Sequence, residues 1–469
     1  MRASRRPTPI RSTGTVVVEA AILVLAFFVA APALADSFTL PLPGTLLQAV
    51  AATGPGGRPG IALLVAAGPG TKGAKTLLFL DPERRGLVRL AGGLHEEVNA
   101  LAALDLAGNG GAEPIAGMPG VLFAPAGGEG ARRVLEEPNV DLRSVAGATL
   151  GRPWLAAAHT GLLELLGPAG GGTLVRKTSF PLPVRAERLR WGLRLASPPV
   201  TLLAGEPPLF AIGPQAVGRR RIETLLQPAA GGEQTEAWSL LPEDERLTSD
   251  RRYLRLDGLP ALAATTYGKI GILAKKRLRL FALGRDRSRK GSAPSFAFET
   301  DCPLWYALDV AAADADGDGR QDLVLAHPGG LRGKEILVSA YHGSGGGRFD
   351  PDPRRWKLGE EASDWLYGAD LTGDGVPDFL VLVKDRFMLY AGDPKGSRPL
   401  AGRPLWAVTM AGAPQKDQGN EREESAGEET SGPERECYLM AFDLPGGVRV
   451  AMAKGASKDG KTVLTVVRR

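Results

Sequence analysis

Two short segments place acidic residues at alternate positions, and their chemistry is the most specific that the sequence offers. The first is a nine-residue stretch, residues 314–322, with carboxylates at its positions 1, 3, 5 and 9. These residues are Asp314, Asp316, Asp318 and Asp322. Four carboxylates this close repel one another, so we expect this first loop to take up a divalent cation.

The donor atoms of the first loop favour calcium. The spacing matches the first part of an EF-hand loop, in which alternate side chains point inward and position 7, here Arg320, offers its backbone carbonyl. Gly319 at position 6 allows the sharp bend that such a loop needs. All of these donors are hard oxygens, and we expect no histidine or cysteine nearby to favour zinc. We therefore predict a Ca²⁺ site.

A second loop, residues 370–378, repeats the spacing with one change. Its candidate ligands are Asp370, Thr372, Asp374, the backbone carbonyl of Val376, and Asp378. Three carboxylates remain, and the threonine hydroxyl or a water can fill the fourth corner. We predict a second Ca²⁺ site here.

A third loop, residues 105–113, keeps Asp105, Asn109 and Glu113 at matching offsets but has Ala107 at position 3. Only two charges remain, so the repulsion that calls for a metal is weaker. We expect a degenerate site that folds as a turn without an ion.

The elements that position these loops are short apolar strands. Each loop lies between two of them, and the first aspartates of the first and second loops are 56 residues apart. Weaker copies keep one acid, at Asp257 and Asp443, and three acid-free copies keep only the strand–turn–strand pattern. The acid-free copies are residues 46–66, 142–158 and 189–204. One or two further strands follow most copies, so the repeat has about four strands in roughly 45–57 residues.

This repeat predicts an all-β fold, a β-propeller of about eight four-stranded blades, with seven as the alternative. The last unit, which starts at Cys437, has three strands and lacks a fourth. Residues 36–43 resemble the fourth strands of other units, so we expect them to complete the last blade and close the ring.

The acidic loops and the strands that follow them resemble the FG-GAP / VCBS repeat family, found in integrin α-subunit propellers and bacterial secreted proteins. The resemblance is carried by Asp314–Asp322 with its following Leu-Val-Leu and by Asp370–Asp378 with its following Phe-Leu-Val-Leu. It implies a propeller, structural Ca²⁺ in the blade hairpins, and a role in adhesion or partner binding. It does not specify the ligand.

The N-terminus predicts export. Four arginines without an acid precede an apolar run that ends Ala33-Leu34-Ala35, the pattern of a secretory signal peptide over residues 1–35. The propeller would then span residues 36–469, outside the cytoplasm, with a disordered acidic insertion at 412–435. The alternative is prepilin-like processing after Gly14, with Glu19 inside an assembly helix and a pilus-associated adhesin as the product. Only such an uncleaved segment would contact a membrane.

Composition narrows the function further. The net charge is +5, from 57 basic and 52 acidic residues, and no aromatic ladder accompanies the basic clusters, so we expect no nucleic-acid partner. The four histidines stand outside any catalytic motif, so we expect a binder of a protein or glycan and not an enzyme. A polysaccharide lyase or hydrolase remains the enzymatic alternative. The pairing of Cys302 and Cys437 stays open.

Overall fold

Eight four-stranded antiparallel sheets make up the described part of the computed structural model. The described residues are 36–68, 73–136, 144–149, 153–159, 162–181, 189–196, 199–205, 209–212, 223–224, 245–256, 259–268, 276–282, 295–302, 309–329, 335–345, 347–410, 439–456 and 462–469. The predicted signal peptide, the insertion at 412–435 and Cys437 lie outside these residues.

Each sheet is called a blade here, and blades are numbered in chain order. The first strand, β1 (Asp36–Pro41), belongs to the last blade. Blade 1 consists of β2 (Gly44–Thr53), β3 (Pro59–Ala67), β4 (Lys75–Asp81) and β5 (Gly86–Leu94), and blade 2 of β6 (Ala100–Leu104), β7 (Glu113–Met118), β8 (Val121–Gly127) and β9 (Gly130–Glu136). Blade 3 consists of β10 (Ser144–Thr149), β11 (Pro153–His159), β12 (Leu162–Gly170) and β13 (Thr173–Pro181), and blade 4 of β14 (Leu189–Ala196), β15 (Pro199–Gly205), β16 (Leu209–Ile212) and β17 (Glu223–Thr224).

The second half of the chain continues the pattern. Blade 5 consists of β18 (Glu245–Leu256), β19 (Leu259–Gly268), β20 (Lys276–Ala282) and β21 (Ser295–Cys302), and blade 6 of β22 (Asp309–Ala313), β23 (Asp322–Gly329), β24 (Glu335–Tyr341) and β27 (Arg354–Leu358). Blade 7 consists of β28 (Asp364–Ala369), β29 (Asp378–Val383), β30 (Arg386–Tyr390) and β31 (Trp406–Thr409), and blade 8 of β32 (Leu439–Leu444), β33 (Val448–Ala456), β34 (Thr462–Arg468) and β1. A two-stranded ribbon, β25 (Gly343–Gly345) with β26 (Arg348–Phe349), interrupts blade 6.

The blades follow one another around a ring. Their first strands contact in an unbroken series from β18 through β22, β28, β32, β2, β6 and β10 to β14. The last blade is completed by β1, which pairs antiparallel with β34 from Asp36 opposite Arg468 to Pro41 opposite Val463. The predicted all-β propeller and its closure by the N-terminal strand are confirmed.

The core of the described blades lies between neighbouring sheets, and blade 1 shows this on both of its faces. In β3, Ile61, Leu63 and Val65 face blade 8, where they meet Met452 and Val466. The intervening residues of β3, Ala62 and Leu64, face blade 2, where they meet Leu101 and Ala116. A strand buried on both faces reads as a continuous apolar run, which explains why these strands do not alternate between apolar and polar residues.

The blades that carry the acidic loops pack in the same way. Phe379 and Val381 of β29 face blade 6 and lie against Trp356 and Val324. The Trp356 and Phe379 rings meet edge to face with their centroids 5.7 Å apart. Residue Leu380 of β29 faces blade 8. Blades 6, 7 and 8 are therefore held together by apolar contacts on either side of blade 7.

Helix is nearly absent from the described residues. Among these residues, a 3-10 turn at Pro55–Gly57 joins β2 to β3, and it forms the turn of the acid-free copy at residues 46–66. No helix among the described residues has the length and hydropathy needed to cross a membrane.

The closing strand provides a test of the ring. Phe38 and Leu40 are half-buried on the face of β1 that packs between blades 8 and 1, whereas Ser37 and Thr39 are exposed. We predict that Phe38→Ala with Leu40→Ala lowers the free energy of unfolding by about 2 kcal/mol, because apolar area is lost at the closure. Urea denaturation of residues 36–469 measures the change.

The matched control is Ser37→Ala with Thr39→Ala, on the other face of the same strand. This control should change the free energy of unfolding by less than about 0.5 kcal/mol. Equal losses in the two double variants would contradict the role of β1 in closing the ring.

Candidate metal centre

The three acidic loops occupy equivalent places in their blades. The first loop joins β22 to β23, the second joins β28 to β29, and the third joins β6 to β7. Each therefore connects the first strand of a blade to its second strand. Each loop thus lies at the same end of the first strand in its blade.

The aspartate at position 1 organises the backbone of each loop. In the first loop, Asp314 Oδ1 accepts hydrogen bonds from the backbone N–H groups of Gly317 and Asp318, at 2.7 and 3.1 Å, and its Oδ2 accepts one from Gly319 at 2.9 Å. Asp370 and Asp105 accept equivalent bonds in the other two loops. The conformation depends on glycine, because Gly317 and Gly319 have φ of 76° and 85°.

The aspartate at position 9 ties the loop to the sheet. Asp322 is 1% exposed, and it accepts hydrogen bonds from the N–H of Ala315 within the loop, at 3.1 Å, and of Gly343 beyond β24, at 2.8 Å. Asp378 is equally buried and accepts from Leu371 at 2.7 Å and from Gly392, beyond β30, at 3.0 Å.

Burial also changes the acidity of these two aspartates. Desolvation raises the pKa of Asp322 above its usual value, although the hydrogen bonds from Gly343 and Ala315 oppose the shift. Desolvation likewise raises the pKa of Asp378, to about 6, against its own hydrogen bonds from Gly392, Thr372 and Leu371. Both carboxylates are thus ionisable groups held in the core by backbone donors.

The first loop brings its carboxylates together. Oxygen atoms of Asp314, Asp316 and Asp318 all lie within 4.8 Å of one another. Asp318 also accepts a hydrogen bond from the N–H of Arg320, at 2.8 Å, and the Arg320 side chain lies 3.9 Å from Asp318. Three of the four predicted acids therefore form one group on the hairpin, and the fourth, Asp322, lies beneath them in the sheet.

A histidine that the sequence did not indicate completes this cluster. His342 Nδ1 lies 2.8 Å from Asp316 Oδ2 and 3.6 Å from Asp322 Oδ1, and His342 Nε2 lies 4.0 Å from Asp318 Oδ2. The expectation that no histidine lies near the first loop was therefore wrong. Strand register explains the contact, because Leu323 pairs with Tyr341 and so brings His342 beside Asp322.

The three carboxylates change the acidity of this imidazole. Desolvation acts to lower the pKa of His342, but the hydrogen bond and charge of Asp316, with the charges of Asp322 and Asp318, outweigh it and raise the pKa above its usual value. His342 therefore contributes positive charge to the cluster at a higher pH than a free histidine would.

The second loop is arranged differently. Thr372 Oγ1 lies 3.4 Å from Asp370 Oδ1 and 3.3 Å from Asp378 Oδ1, and Asp374 accepts a hydrogen bond from the N–H of Val376 at 2.9 Å. Among the described residues, groups of three metal-binding side chains within 4.8 Å occur only around the first loop. The second loop keeps the backbone geometry of the first, but its three carboxylates do not converge in the same way.

An arginine from the next blade reaches the second loop. Arg449 Nη2, on β33 of blade 8, lies 3.6 Å from Asp370 Oδ2. A Cβ atom added at Gly373 would lie 2.5 Å from Arg449 Nη1, so the guanidinium also packs against the loop backbone. Part of the negative charge of the second loop is therefore balanced by the protein itself.

In the third loop, Asn109 takes the place of the central acid and accepts a hydrogen bond from the N–H of Gly111 at 2.9 Å. Glu113 pairs with Arg132 of β9 at 3.5 Å. The third loop thus keeps the turn and lacks the cluster of carboxylates.

The buried carboxylates allow a structural test that is independent of metal. We predict that Asp378→Asn, measured with excess chelator, lowers the free energy of unfolding by about 1–3 kcal/mol, because an amide NH₂ would face a backbone N–H donor. Thermal and urea denaturation measure the loss. The control is Asp374→Asn, at an exposed position that accepts one N–H. Equal losses in the two variants would contradict the structural role of Asp378.

Similarity to known proteins is found in the part of the chain that contains the acidic loops. Residues 314–381, which contain the first and second loops, match the family of FG-GAP-like repeats. Phosphatidylinositol-glycan-specific phospholipase D of Rattus norvegicus is 36% identical over 152 residues, and that of Mus musculus is 33% identical over 159 residues. Each match covers 29% of this chain but 16% and 17% of those proteins, so the chain spans less than a fifth of the length of these relatives.

Solved structures with more distant similarity cover most of the chain. The WD40 domain of SCAP from fission yeast superimposes with a TM-score of 0.44 at 9% identity, covering 92% of this chain and 98% of that domain. A protein from Lactobacillus plantarum gives a TM-score of 0.36 at 15% identity, covering 72% of this chain and 93% of that protein. Both TM-scores are low, so the fold rests on the strand pairing within this chain. The strand pairing and the repeat match together identify residues 314–381 as an FG-GAP-like repeat of a β-propeller.

Proposed function

We propose that the protein is an exported, calcium-binding β-propeller that binds a protein or glycan, or serves as a scaffold for one, at the cell envelope. The observation that carries the proposal is the convergence of Asp314, Asp316 and Asp318 within 4.8 Å on a solvent-facing hairpin. Such a group of carboxylates is costly without a cation to balance it.

The donor set of the first loop fits calcium. Ca²⁺ takes six to eight oxygen ligands, from carboxylates, backbone carbonyls and water, in a flexible geometry. Asp314, Asp316 and Asp318 would supply carboxylate oxygens, the Arg320 carbonyl and water would add others, and Asp322 would support the loop from below. The second loop would bind more weakly, because its three carboxylates do not converge as those of the first loop do.

Calcium in these loops would act on the whole ring. The first loop lies against the next blade, since a Cβ atom added at Gly317 would lie 3.1 Å from Pro394 Cβ. The second loop contacts Arg449 of blade 8 in the same way. An ion that rigidifies a hairpin therefore also stabilises its contact with the following blade, and a rigid surface loses less entropy when a partner binds.

We propose a binder and not a catalyst, because the loop carboxylates are engaged by backbone N–H groups in the manner of a structural ion site. The similarity to phosphatidylinositol-glycan-specific phospholipase D covers less than a fifth of that enzyme, so its activity is not part of the proposal. Export is inferred from the basic and then apolar pattern of residues 1–35.

Calcium should stabilise the protein through these loops. We predict that adding Ca²⁺ to the chelator-treated protein raises Tm, since one site at about 100 times its Kd adds about 2.7 kcal/mol. Asp318→Asn with Asp374→Asn should remove most of this increase. The control is Asp443→Asn, an exposed aspartate in a hairpin without an acidic loop. Identical melting with calcium and with chelator would contradict the proposal.

The N-terminus of the mature protein tests export separately. We predict that sequencing the protein purified from the envelope or medium of the expressing cells gives Asp36 as the first residue, because a small-x-small site ends at Ala35. A first residue of Thr15 would instead support prepilin-like processing and a pilus-associated adhesin. An intact Met1 in the cytoplasm would contradict export.

A further inference from the structure

We infer that the first loop is a mixed imidazole–carboxylate site, in which His342 is a metal ligand and extends binding from Ca²⁺ to borderline transition-metal cations such as Zn²⁺ and Co²⁺. This inference rests on the proposed metal-binding function and concerns which ions the same site accepts.

The geometry joins two ligand groups through one residue. The first group is Asp314, Asp316 and Asp318, and the second is Asp316, Asp322 and His342; each has its ligand atoms within 4.8 Å of one another. Asp316 belongs to both. The imidazole therefore lies beside the predicted calcium ligands, where a cation bound by Asp316 is within reach of a ring nitrogen.

Both ring nitrogens of His342 face carboxylates. Nδ1 is 2.8 Å from Asp316 and 3.6 Å from Asp322, and Nε2 is 4.0 Å from Asp318. The imidazole comes from the end of β24, an element separate from the loop, so its position is not a consequence of the turn conformation. Its side chain is 37% exposed, which leaves the cluster open to an ion from solvent.

The donor chemistry selects the class of ion. Carboxylate, carbonyl and water ligands suit Ca²⁺ and Mn²⁺, whereas an imidazole nitrogen is preferred by Zn²⁺, Co²⁺ and their neighbours. The second loop provides an internal comparison. Gly392 donates to Asp378 as Gly343 donates to Asp322, so the residue equivalent to His342 in blade 7 is Ala391. The second loop thus has no imidazole at this place.

The test uses residues 36–469 and measures metal binding directly. Isothermal titration with Ca²⁺, Zn²⁺ and Co²⁺, together with the visible absorption of bound Co²⁺, is compared between the parent protein and His342→Ala. We expect His342→Ala to weaken Zn²⁺ and Co²⁺ binding by at least about tenfold and to alter the Co²⁺ spectrum, since a nitrogen ligand is lost. Calcium binding should change by less than about threefold.

Two further variants serve as controls. His95→Ala removes an exposed histidine whose Nδ1 lies 3.8 Å from a single carboxylate, Glu97, and it should leave all three affinities unchanged. Asp316→Asn removes the ligand that the two groups share and should weaken binding of all three ions. If His342→Ala folds poorly, His342→Gln takes its place in the test. A melting curve for each variant shows whether it is folded.

The outcomes separate this inference from the proposed function. Zn²⁺ and Co²⁺ affinities that are unchanged by loss of His342, or that fall only in parallel with Ca²⁺ affinity, would overturn the inference and leave calcium binding standing. Zn²⁺ or Co²⁺ binding that depends on His342, in a protein that does not bind Ca²⁺, would support the inference and contradict the proposed calcium site.

Discussion

The structure depends on one constraint, which is that a blade with two apolar faces, such as blade 1, must have both faces covered. Ile61 and Leu63 of β3 are buried against blade 8, while Ala62 and Leu64 are buried against blade 2. An open row of such sheets would leave a face at each end in water, at a cost of about 25 cal/mol for each Å². Closure through β1 removes both exposed faces, and it also pairs the free edge of β34.

Within this ring, the buried aspartate at position 9 holds the first and second loops against their sheets. Asp322 and Asp378 each join the start of the loop to the end of the third strand through backbone N–H groups. An ionisable group is tolerated in the core only when such donors surround it. In the third loop Glu113 pairs instead with Arg132, and there the carboxylates do not converge. The attachment of the first and second loops to their sheets therefore depends on a buried hydrogen-bond network, and the convergence of the exposed acids in the first loop is an additional feature.

The sequence was sufficient to predict the strands and hairpins, because both are local. Glycine-rich turns such as the one after β2 separate apolar runs, and the acid spacing of Asp314 to Asp322 lies within one hairpin. His342 and Arg449 could not be found in this way. His342 reaches the first loop through the pairing of Leu323 with Tyr341, which depends on the length of a hairpin. Arg449 reaches Asp370 from another blade, so its position depends on the angle between two sheets.

The three loops share one backbone conformation but balance their charge in different ways. The first loop has four carboxylates with Arg320 and His342 beside them, the second has three with Arg449, and the third has two with Arg132. With each neighbouring base counted as positive, the first and second loops keep the same excess of carboxylates, and the third loop keeps less. Since the position-1 aspartate accepts backbone N–H groups in all three loops, the acids at the later positions can be lost without loss of the hairpin. The number of side chains that could hold a metal ion thus varies from loop to loop, while the hairpin that carries them stays the same.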